Sequence, residues 1–307
     1  MSCQRNKPTM KNQLKTVLLL GVLSSLLIGI GGALGPGYLY GFTALALLMN
    51  LGAYFFSDRI VLAMHRAHEV GPQQQPALHR IVAELAQRAE IPKPRVFVIP
   101  EAQPNAFATG RNPERGVVAV TEGIMAMLSE RELRGVIAHE LAHIKNRDIL
   151  VASVAASIAG AVTYIAQAVQ FAAIFGGQRD DDEQGSVAGS LALAFVAPIA
   201  ATLVQLGISR SREFLADETG ARLTGDPEGL ASALEKLELG ARHIPAHVQP
   251  ATASLFIVSP LSGARGIFSW FSTHPPMPDR IARLRAMSES GHIAPSTPIT
   301  SRLRMAE

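Results

Sequence analysis

Two histidines and a glutamate, in the stretch His139-Glu140-Leu141-Ala142-His143, have the residue types and spacing of a metal-dependent hydrolase. Side chains four residues apart lie on one face of an α-helix, so both imidazoles can reach one ion. Neutral imidazole nitrogens suit Zn²⁺, and Glu140 can approach a water in an open coordination position. With only nine histidines in the chain, the pattern arises by chance in about one such chain in a hundred. The motif therefore predicts a zinc hydrolase with one Zn²⁺ per subunit.

The residues around this motif predict the helix that must carry it. Ser129 followed by Glu132 is a capping box, in which each side chain accepts a hydrogen bond from a free backbone N–H. Apolar residues then recur at helical spacing and predict a buried stripe: Leu133, Val136, Ile137, Leu141 and Ile144.

The composition indicates a membrane protein and excludes nucleic-acid binding. Hydrophobic residues make up 48% of the chain and charged residues only 17%, below the ~25% of an average soluble domain. The net charge is +3, but the basic residues are scattered and form no stripe interleaved with aromatics. The single cysteine, Cys3, excludes an internal disulfide framework and favours a reducing compartment for the catalytic part.

The first apolar segment contains no charged residue between Lys15 and Asp58 and breaks at Gly35-Pro36-Gly37. Its two runs, 17–34 and 39–56, are each about 27 Å long as helices, which is enough to cross a bilayer. They predict a transmembrane hairpin. Cations lie before and after it and none lies in the turn, which places both ends in the cytoplasm. A cleavable signal peptide is the alternative, but the second run would still hold the chain in the membrane.

A second apolar segment follows Asp148 and carries no charge before Arg179. Its runs 149–175 and 187–208 flank a connector with four acids and one base. Because basic residues are what retain a loop in the cytoplasm, this connector can cross the membrane. We expect a second transmembrane hairpin. The alternatives are a hairpin that only enters the membrane and a buried hairpin in a soluble core.

The remaining sequence has the composition of a soluble α+β domain. Between the hairpins we expect a helix at 76–90, strands at 94–100 and 116–120, a helix at 122–128 and then the metal helix. After the second hairpin we expect helices at 213–223, 226–239 and 278–287, with an irregular region from Gly240 to Thr273. The predicted fold is a zincin-like metalloprotease core, mainly helical with a small β-sheet, plus four transmembrane helices in two hairpins.

This prediction divides the chain into six parts. They are a cytoplasmic tail (1–16), a transmembrane hairpin (17–56), the first part of a cytoplasmic catalytic domain (57–148), a second transmembrane hairpin (149–208), the second part of the catalytic domain (209–288) and a disordered tail (289–307).

Four acids compete for the role of third metal ligand: Asp148, Glu213, Asp217 and Glu218. Asp148 directly precedes an apolar run and is expected to mark the membrane boundary. Asp217 shares a helix face with Glu213 and lies one turn away, whereas Glu218 is rotated by roughly 140° and should point elsewhere. The residues alone leave the choice between Glu213 and its neighbours open.

Four motifs in this order resemble those of the HtpX-type membrane zinc metalloproteases and, more distantly, of the type I CAAX prenyl endopeptidases. The resemblance extends from Met10 to about Met287 and rests on His139-Glu140-x-x-His143, Glu213-Phe214-x-Ala216-Asp217, Asn105-Ala106-Phe107-Ala108 and Thr273-His274-Pro275 with Arg280.

The resemblance implies a zinc endopeptidase of the bacterial inner membrane that cleaves misfolded membrane proteins on the cytoplasmic side. It implies His139, His143 and Glu213 as zinc ligands, Glu140 as the base that activates water, and Asp217 behind Glu213. The remaining site residues are Asn105, on the strand that aligns substrate, and His274 and Arg280, near the oxyanion or behind the ligands. Asn105 could instead make a turn, and His274 could cap the last helix.

The expected partners are unfolded protein substrates and the lipid bilayer, with no nucleic acid. Three other functions remain. An intramembrane protease would carry its motif inside an apolar span, whereas charged residues flank this one. A CAAX-type processing endopeptidase normally has more membrane spans. A catalytically inactive membrane scaffold or adaptor would lack a ligand or the base.

Overall fold

The computed structural model describes residues 7–160, 210–244, 252, 255–258 and 275–290. The helices are α1 (Lys7–Leu34), α2 (Pro36–Met64), α3 (Pro76–Ala89), α4 (Glu122–Met127), α5 (Glu130–Lys145), α6 (Ile149–Gly160), α7 (Arg210–Thr224), α8 (Pro227–His243) and α9 (Met277–Glu289). The strands are β1 (His68–Glu69), β2 (Arg95–Ile99), β3 (Ala106–Thr109) and β4 (Val117–Thr121), with a 3₁₀ turn at Pro113–Arg115. The expected mainly helical fold with a small sheet is confirmed.

The first apolar segment folds as a helical hairpin that breaks at Gly35, as predicted. Polar contacts join its two helices, because the Asn50 amide donates to the Ser24 hydroxyl at 2.6 Å and to the Leu20 carbonyl at 3.3 Å. Such bonds hold helices together where neighbouring apolar surface provides little driving force. The helices are longer than the predicted spans, since α1 begins at Lys7 and α2 continues to Met64.

Among the described residues, only α2 is long and apolar enough to cross a membrane. The apolar stretches at Leu14–Gly29 and Ile149–Gly160 are shorter. Most of the predicted second hairpin, from 161 to 208, lies outside the described residues, as does the proposed tail from 291 onward. The four transmembrane helices therefore remain a prediction.

The four strands form one mixed sheet in the order β1-β2-β4-β3. β2 and β4 are parallel, whereas β3 is antiparallel to β4 and lies at the edge. The predicted strands match β2 and β4 to within one residue at each end. The stretch from Asn105 to Gly110 contributes β3, in which Phe107 pairs with Ala119.

Alternate side chains of the sheet pack against different layers, as the period of two residues in a strand requires. One face packs against α3, α5 and α8 through a large core that includes Val96, Val98, Val118, Val120, Ile81, Leu85, Ile137, Leu141, Leu230 and Leu234. The other face packs against the end of α2, α6 and residues 255–256 through Phe97, Ile99, Phe107, Val117, Ala119, Val61, Leu62, Ala156, Leu255 and Phe256. The sheet thus lies between the metal helix and the C-terminal part of α2.

The predicted capping box at the start of α5 is present and also anchors α8. The Ser129 N–H donates to Glu132 Oε2 at 2.9 Å. Glu132 is buried and accepts further bonds from the Ser232 hydroxyl at 2.7 Å and the Lys236 ammonium at 2.9 Å. Burial opposes the carboxylate, but the bonds to Lys236, Ser232 and Ser129 outweigh it and lower the pKa of Glu132 to about 2.

Two further helices extend beyond their predicted bounds by three residues or more. The helix expected from Glu213 is already helical at Arg210, the first described residue of this part of the chain. The helix expected to end near Leu239 continues to His243, so Gly240 lies inside α8 and does not begin an irregular region. A Cβ at Gly240 would lie 2.6 Å from Pro104 Cγ. Close packing, and not the end of the helix, explains this glycine.

A second close approach brings α7 onto the metal helix. A Cβ at Gly220 would lie 2.9 Å from the backbone nitrogen of His139. A Cβ essentially never makes a non-bonded contact this short, so any larger residue must displace one helix. Gly220 therefore determines how near α7 can lie to α5.

We expect Gly220→Ala to destabilise the protein, because the added methyl group pushes α7 away from α5. Overpacking of this kind costs about 1–3 kcal/mol. The measurement is the thermal unfolding midpoint of the purified full chain. Gly41→Ala is the matched control, since a Cβ there meets no described atom within 4 Å. Equal midpoints for Gly220→Ala and the wild type would contradict the packing of α7 on α5.

Candidate active site

The metal helix is α5, and it presents His139, Glu140 and His143 near its C-terminal end. His139 and Glu140 are almost fully buried, with 1% and 2% of their surface exposed. The His143 side chain remains 16% exposed. The two Nε2 atoms of the histidines lie 3.2 Å apart. The spacing of four residues thus brings both imidazoles to one point.

Glu213, on α7, completes a cluster of three donors. One of its carboxylate oxygens lies 3.7 Å from His139 Nε2, and the other lies 3.6 Å from His143 Nε2. One potential ligand atom from each residue lies within 4.8 Å of the other two. Tetrahedral zinc with bonds near 2.1 Å holds its ligand atoms roughly 3.4 Å apart. The distances and the two nitrogens with one carboxylate fit a zinc ion with an open fourth position.

The ring nitrogen of His139 that lies away from the metal cluster, Nδ1, contacts the buried ion pair of Asp217 and Arg280. This nitrogen donates to Asp217 Oδ1 at 2.9 Å. Arg280 donates to the two oxygens of Asp217 at 2.6 and 2.8 Å, and to the Ile257 carbonyl at 3.0 Å. Burial opposes the charge of Asp217, but Arg280 and His139 outweigh it and lower the pKa of Asp217. Asp217 therefore directs the free Nε2 lone pair of His139 towards the cluster.

The corresponding nitrogen of His143 has a similar partner, which the sequence analysis missed. Asp148 Oδ2 lies 3.5 Å from His143 Nδ1, and Asp148 Oδ1 lies 3.9 Å from Arg212 Nη1. Arg147 has φ +58, and this turn lets the Asp148 N–H donate to the His143 carbonyl at 3.0 Å. An acid just past the end of a metal helix was the available signal. From the sequence we consider Asp148 as a competing third ligand and as a membrane boundary, but not as a partner of His143.

Glu140 lies between the metal cluster and the edge strand. Its carboxylate accepts a hydrogen bond from the backbone N–H of Ala108, in β3. Burial is the main cause that raises the pKa of Glu140 to about 7, with Glu213 adding to it and His143 opposing it. A carboxylate with this pKa can take up and release a proton near neutral pH.

Asn105 holds another part of the chain against the edge strand. Its Nδ2 donates to the Val258 carbonyl at 2.9 Å. Residues 255–258 lie beside β3, where the Ile257 N–H donates to the Ala106 carbonyl at 3.1 Å. Asn105 is buried and supports this segment, which occupies part of the edge of the strand that is expected to align substrate.

Three further candidates from the sequence are Glu218, Arg280 and His274. Glu218 points outward and pairs with Arg222 at the surface, away from the cluster, as its rotation on the helix predicted. Arg280 lies behind Asp217. His274 lies outside the described residues, so its expected place near the oxyanion remains a prediction.

Comparison with known proteins agrees with this site. The model of peptidase family M48 matches residues 72–288. A protease HtpX homolog of Syntrophobacter fumaroxidans is 54% identical over 284 residues, covering 91% of this chain and 100% of the relative. A protease HtpX homolog of Desulforapulum autotrophicum is 51% identical over 286 residues, covering 92% of each chain.

A solved structure is also similar to this chain. The crystal structure of S. mikatae Ste24p has a TM-score of 0.48 and 17% identity, and the match covers 90% of this chain and 66% of that chain. The family assignment does not depend on it, because the family match and the relatives above span most of the sequence. This chain belongs to peptidase family M48 and is a membrane metalloprotease.

Proposed function

We propose that this chain is a zinc endopeptidase that cleaves misfolded or damaged membrane proteins on the cytoplasmic side of the bacterial inner membrane. It would act in membrane-protein quality control during stress. The observation that carries this proposal is the convergence of His139, His143 and Glu213, with Glu140 buried beside them. A scaffold without activity is disfavoured, since the base and all three proposed ligands are in place.

Zinc is the ion that this donor set fits best. His139 and His143 would offer Nε2, and Glu213 would offer a carboxylate oxygen. Bound there, zinc supplies Lewis acidity, which polarises a peptide carbonyl and lowers the pKa of water. Asp217 and Asp148 fix the orientation of the two imidazoles from behind, so that little reorganisation is needed to bind the ion.

Glu140 is the proposed proton carrier. It accepts a proton from the attacking water and returns it to the leaving amine. Burial raises the pKa of Glu140 above its usual value, which makes this carboxylate a better proton acceptor than an exposed one. The Ala108 N–H holds the carboxylate in place next to the edge strand.

The substrate is proposed to bind as an extended strand along the outer edge of β3. Recognition of backbone more than side chains suits broad specificity for unfolded chains. At Ala106 this edge is already bonded to Ile257, so substrate would bind nearer Ala108, which also contacts Glu140. Arg280 acts by holding Asp217, because its donors are engaged there and at the Ile257 carbonyl. His274 is the proposed oxyanion partner.

The proposed topology has both hairpins crossing the membrane and the catalytic parts, 57–148 and 209–288, on the cytoplasmic side. Both termini, 1–16 and 289–307, would also be cytoplasmic. The uncharged turn of the first hairpin and the acidic connector of the second support this arrangement, since neither resists translocation.

Glu140→Gln should keep the shape of the site and remove the proton acceptor. We expect zinc to stay bound while zinc-dependent cleavage of casein falls by about 10²–10⁴-fold. Glu218→Gln is the matched control, because Glu218 lies at the surface and should leave cleavage unchanged. Near-normal turnover by a zinc-loaded Glu140→Gln protein would exclude Glu140 as the base.

Glu213→Ala should abolish stoichiometric zinc, measured by metal analysis after dialysis, because it removes one of three ligands. Asp217→Asn should weaken zinc affinity by roughly 10–100-fold, since His139 loses its anionic partner. Glu218→Ala should change neither zinc content nor activity. Tight zinc in Glu213→Ala together with lost zinc in Glu218→Ala would show that the third ligand is misassigned.

Reporter fusions test the topology. Reporters active only in the cytoplasm should give signal at Gly110 and His247, and reporters active only outside should give signal at Gly185. A cytoplasmic signal at Gly185 would mean that the second hairpin does not cross the membrane.

A further inference from the structure

A cavity of about 750 Å³ lies where α2 leaves its apolar stretch, and none of the three proposed metal ligands lines it. Its walls come from α2, the residues before and at the start of β2, and the turn at Pro113–Arg115. Two carboxylates, Asp58 and Glu114, line this cavity. Five cationic side chains also line it: Arg59, Lys93, Arg95, Arg111 and Arg115.

Most of this positive charge is not neutralised within the protein. Arg95 lies 3.4 Å from Asp58 and 3.6 Å from Glu69, so it is paired. In the part of the chain that the structure describes, Arg59, Arg111 and Arg115 form no ion pair with a carboxylate. The five cations and two carboxylates leave the lining with a net charge of +3, so an anion that enters the cavity is attracted.

The wall on the α2 side is aromatic and exposed. Phe55 and Phe56 end the apolar stretch and are 47% and 49% exposed. The Arg111 guanidinium lies 5.4 Å from the Phe55 ring centroid, and that of Arg59 lies 5.6 Å from the Phe56 centroid. Cations that directly follow an apolar helix are typical of the boundary between acyl chains and head groups.

The length of α2 places the cavity at that boundary. From Leu39 to Phe56 the helix is about 27 Å long, which matches most of a hydrocarbon core of about 30 Å. Asp58 and Arg59, which follow the apolar stretch directly, belong to the cavity. A lipid whose acyl chains lie along the exposed side of α2 can therefore put its phosphate among the arginines.

We propose that this cavity binds the head group of an anionic phospholipid. Arginine donates paired N–H groups to phosphate oxygens, and each cation near an anionic leaflet adds attraction. A zwitterionic head group would bring its own cation into a cationic cavity, so a lipid with net negative charge is preferred. Beyond the cavity α2 packs Val61 and Leu62 under the sheet. A bound lipid would therefore fix the catalytic domain against the membrane surface.

Native mass spectrometry of the full chain in a neutral detergent tests the proposal. The probes are dioctanoyl-phosphatidylglycerol, dioctanoyl-phosphatidylcholine and inorganic phosphate, each titrated separately. We expect saturable binding of the glycerol lipid and at least tenfold weaker binding of the choline lipid. Inorganic phosphate should not compete at comparable concentrations, because it lacks the contacts with Phe55 and Phe56.

Arg111→Gln/Arg115→Gln should weaken binding of phosphatidylglycerol by roughly 30-fold. Arg222→Gln/Arg242→Gln is the control with the same loss of charge, since both arginines are exposed and outside the cavity. It should stay within twofold of the wild type. Arg59→Gln, on the α2 wall of the cavity, should also weaken the binding of phosphatidylglycerol. Unchanged unfolding midpoints show that each variant is folded.

Four results would overturn the proposal. They are the absence of saturable phosphatidylglycerol binding, equal affinity for the choline lipid, equal losses in the control and cavity variants, and competition by inorganic phosphate at the concentration of the lipid. The last result would identify a site for free phosphate, and the third would indicate general electrostatic attraction.

Discussion

The arrangement of the metal site depends on one buried cation. Arg280 has no exposed surface, and its guanidinium bonds both to Asp217 and to the Ile257 carbonyl. A buried charge without partners would cost several kcal/mol, so α9, α7 and residues 255–258 are held together around it. Asp217 in turn orients His139. The position of a ligand on α5 is thus determined partly by a residue 141 positions away in the sequence.

The second apolar segment is inserted between the two elements that supply the metal ligands. α5 ends at Lys145, and α6 begins at Ile149, directly after Asp148. The chain returns at α7, whose first turn carries Arg212 within 3.9 Å of Asp148. The residues just before α6 and near the start of α7 therefore contact each other beside the site, and Asp148 links them to His143.

Local pattern was sufficient to predict much of the fold. The capping box and apolar stripe predicted α5, and runs of β-branched residues predicted β2 and β4 to within one residue. These signals depend on neighbours in the sequence. The continuation of α2 to Met64 was not predicted, because charges at Asp58 and Arg59 mark the end of an apolar run and not the end of a helix. The interior position of Gly240 in α8 was not predicted either, because a glycine after an apolar run of helical period usually marks the end of a helix.

The sequence by itself determined the chemistry of the metal pair, since four residues of helix bring His139 and His143 together wherever the helix lies. Only the tertiary structure decided what surrounds them. Gly220 permits the approach of α7, and so places Glu213 at the cluster and Asp217 behind His139. The tertiary structure also makes Asp148 a partner of His143. It places residues 255–258 beside β3, where Asn105 donates a hydrogen bond to Val258, 153 positions away in the sequence. No local pattern encodes contacts at such separation, because they arise from packing between elements and not from the period of one element.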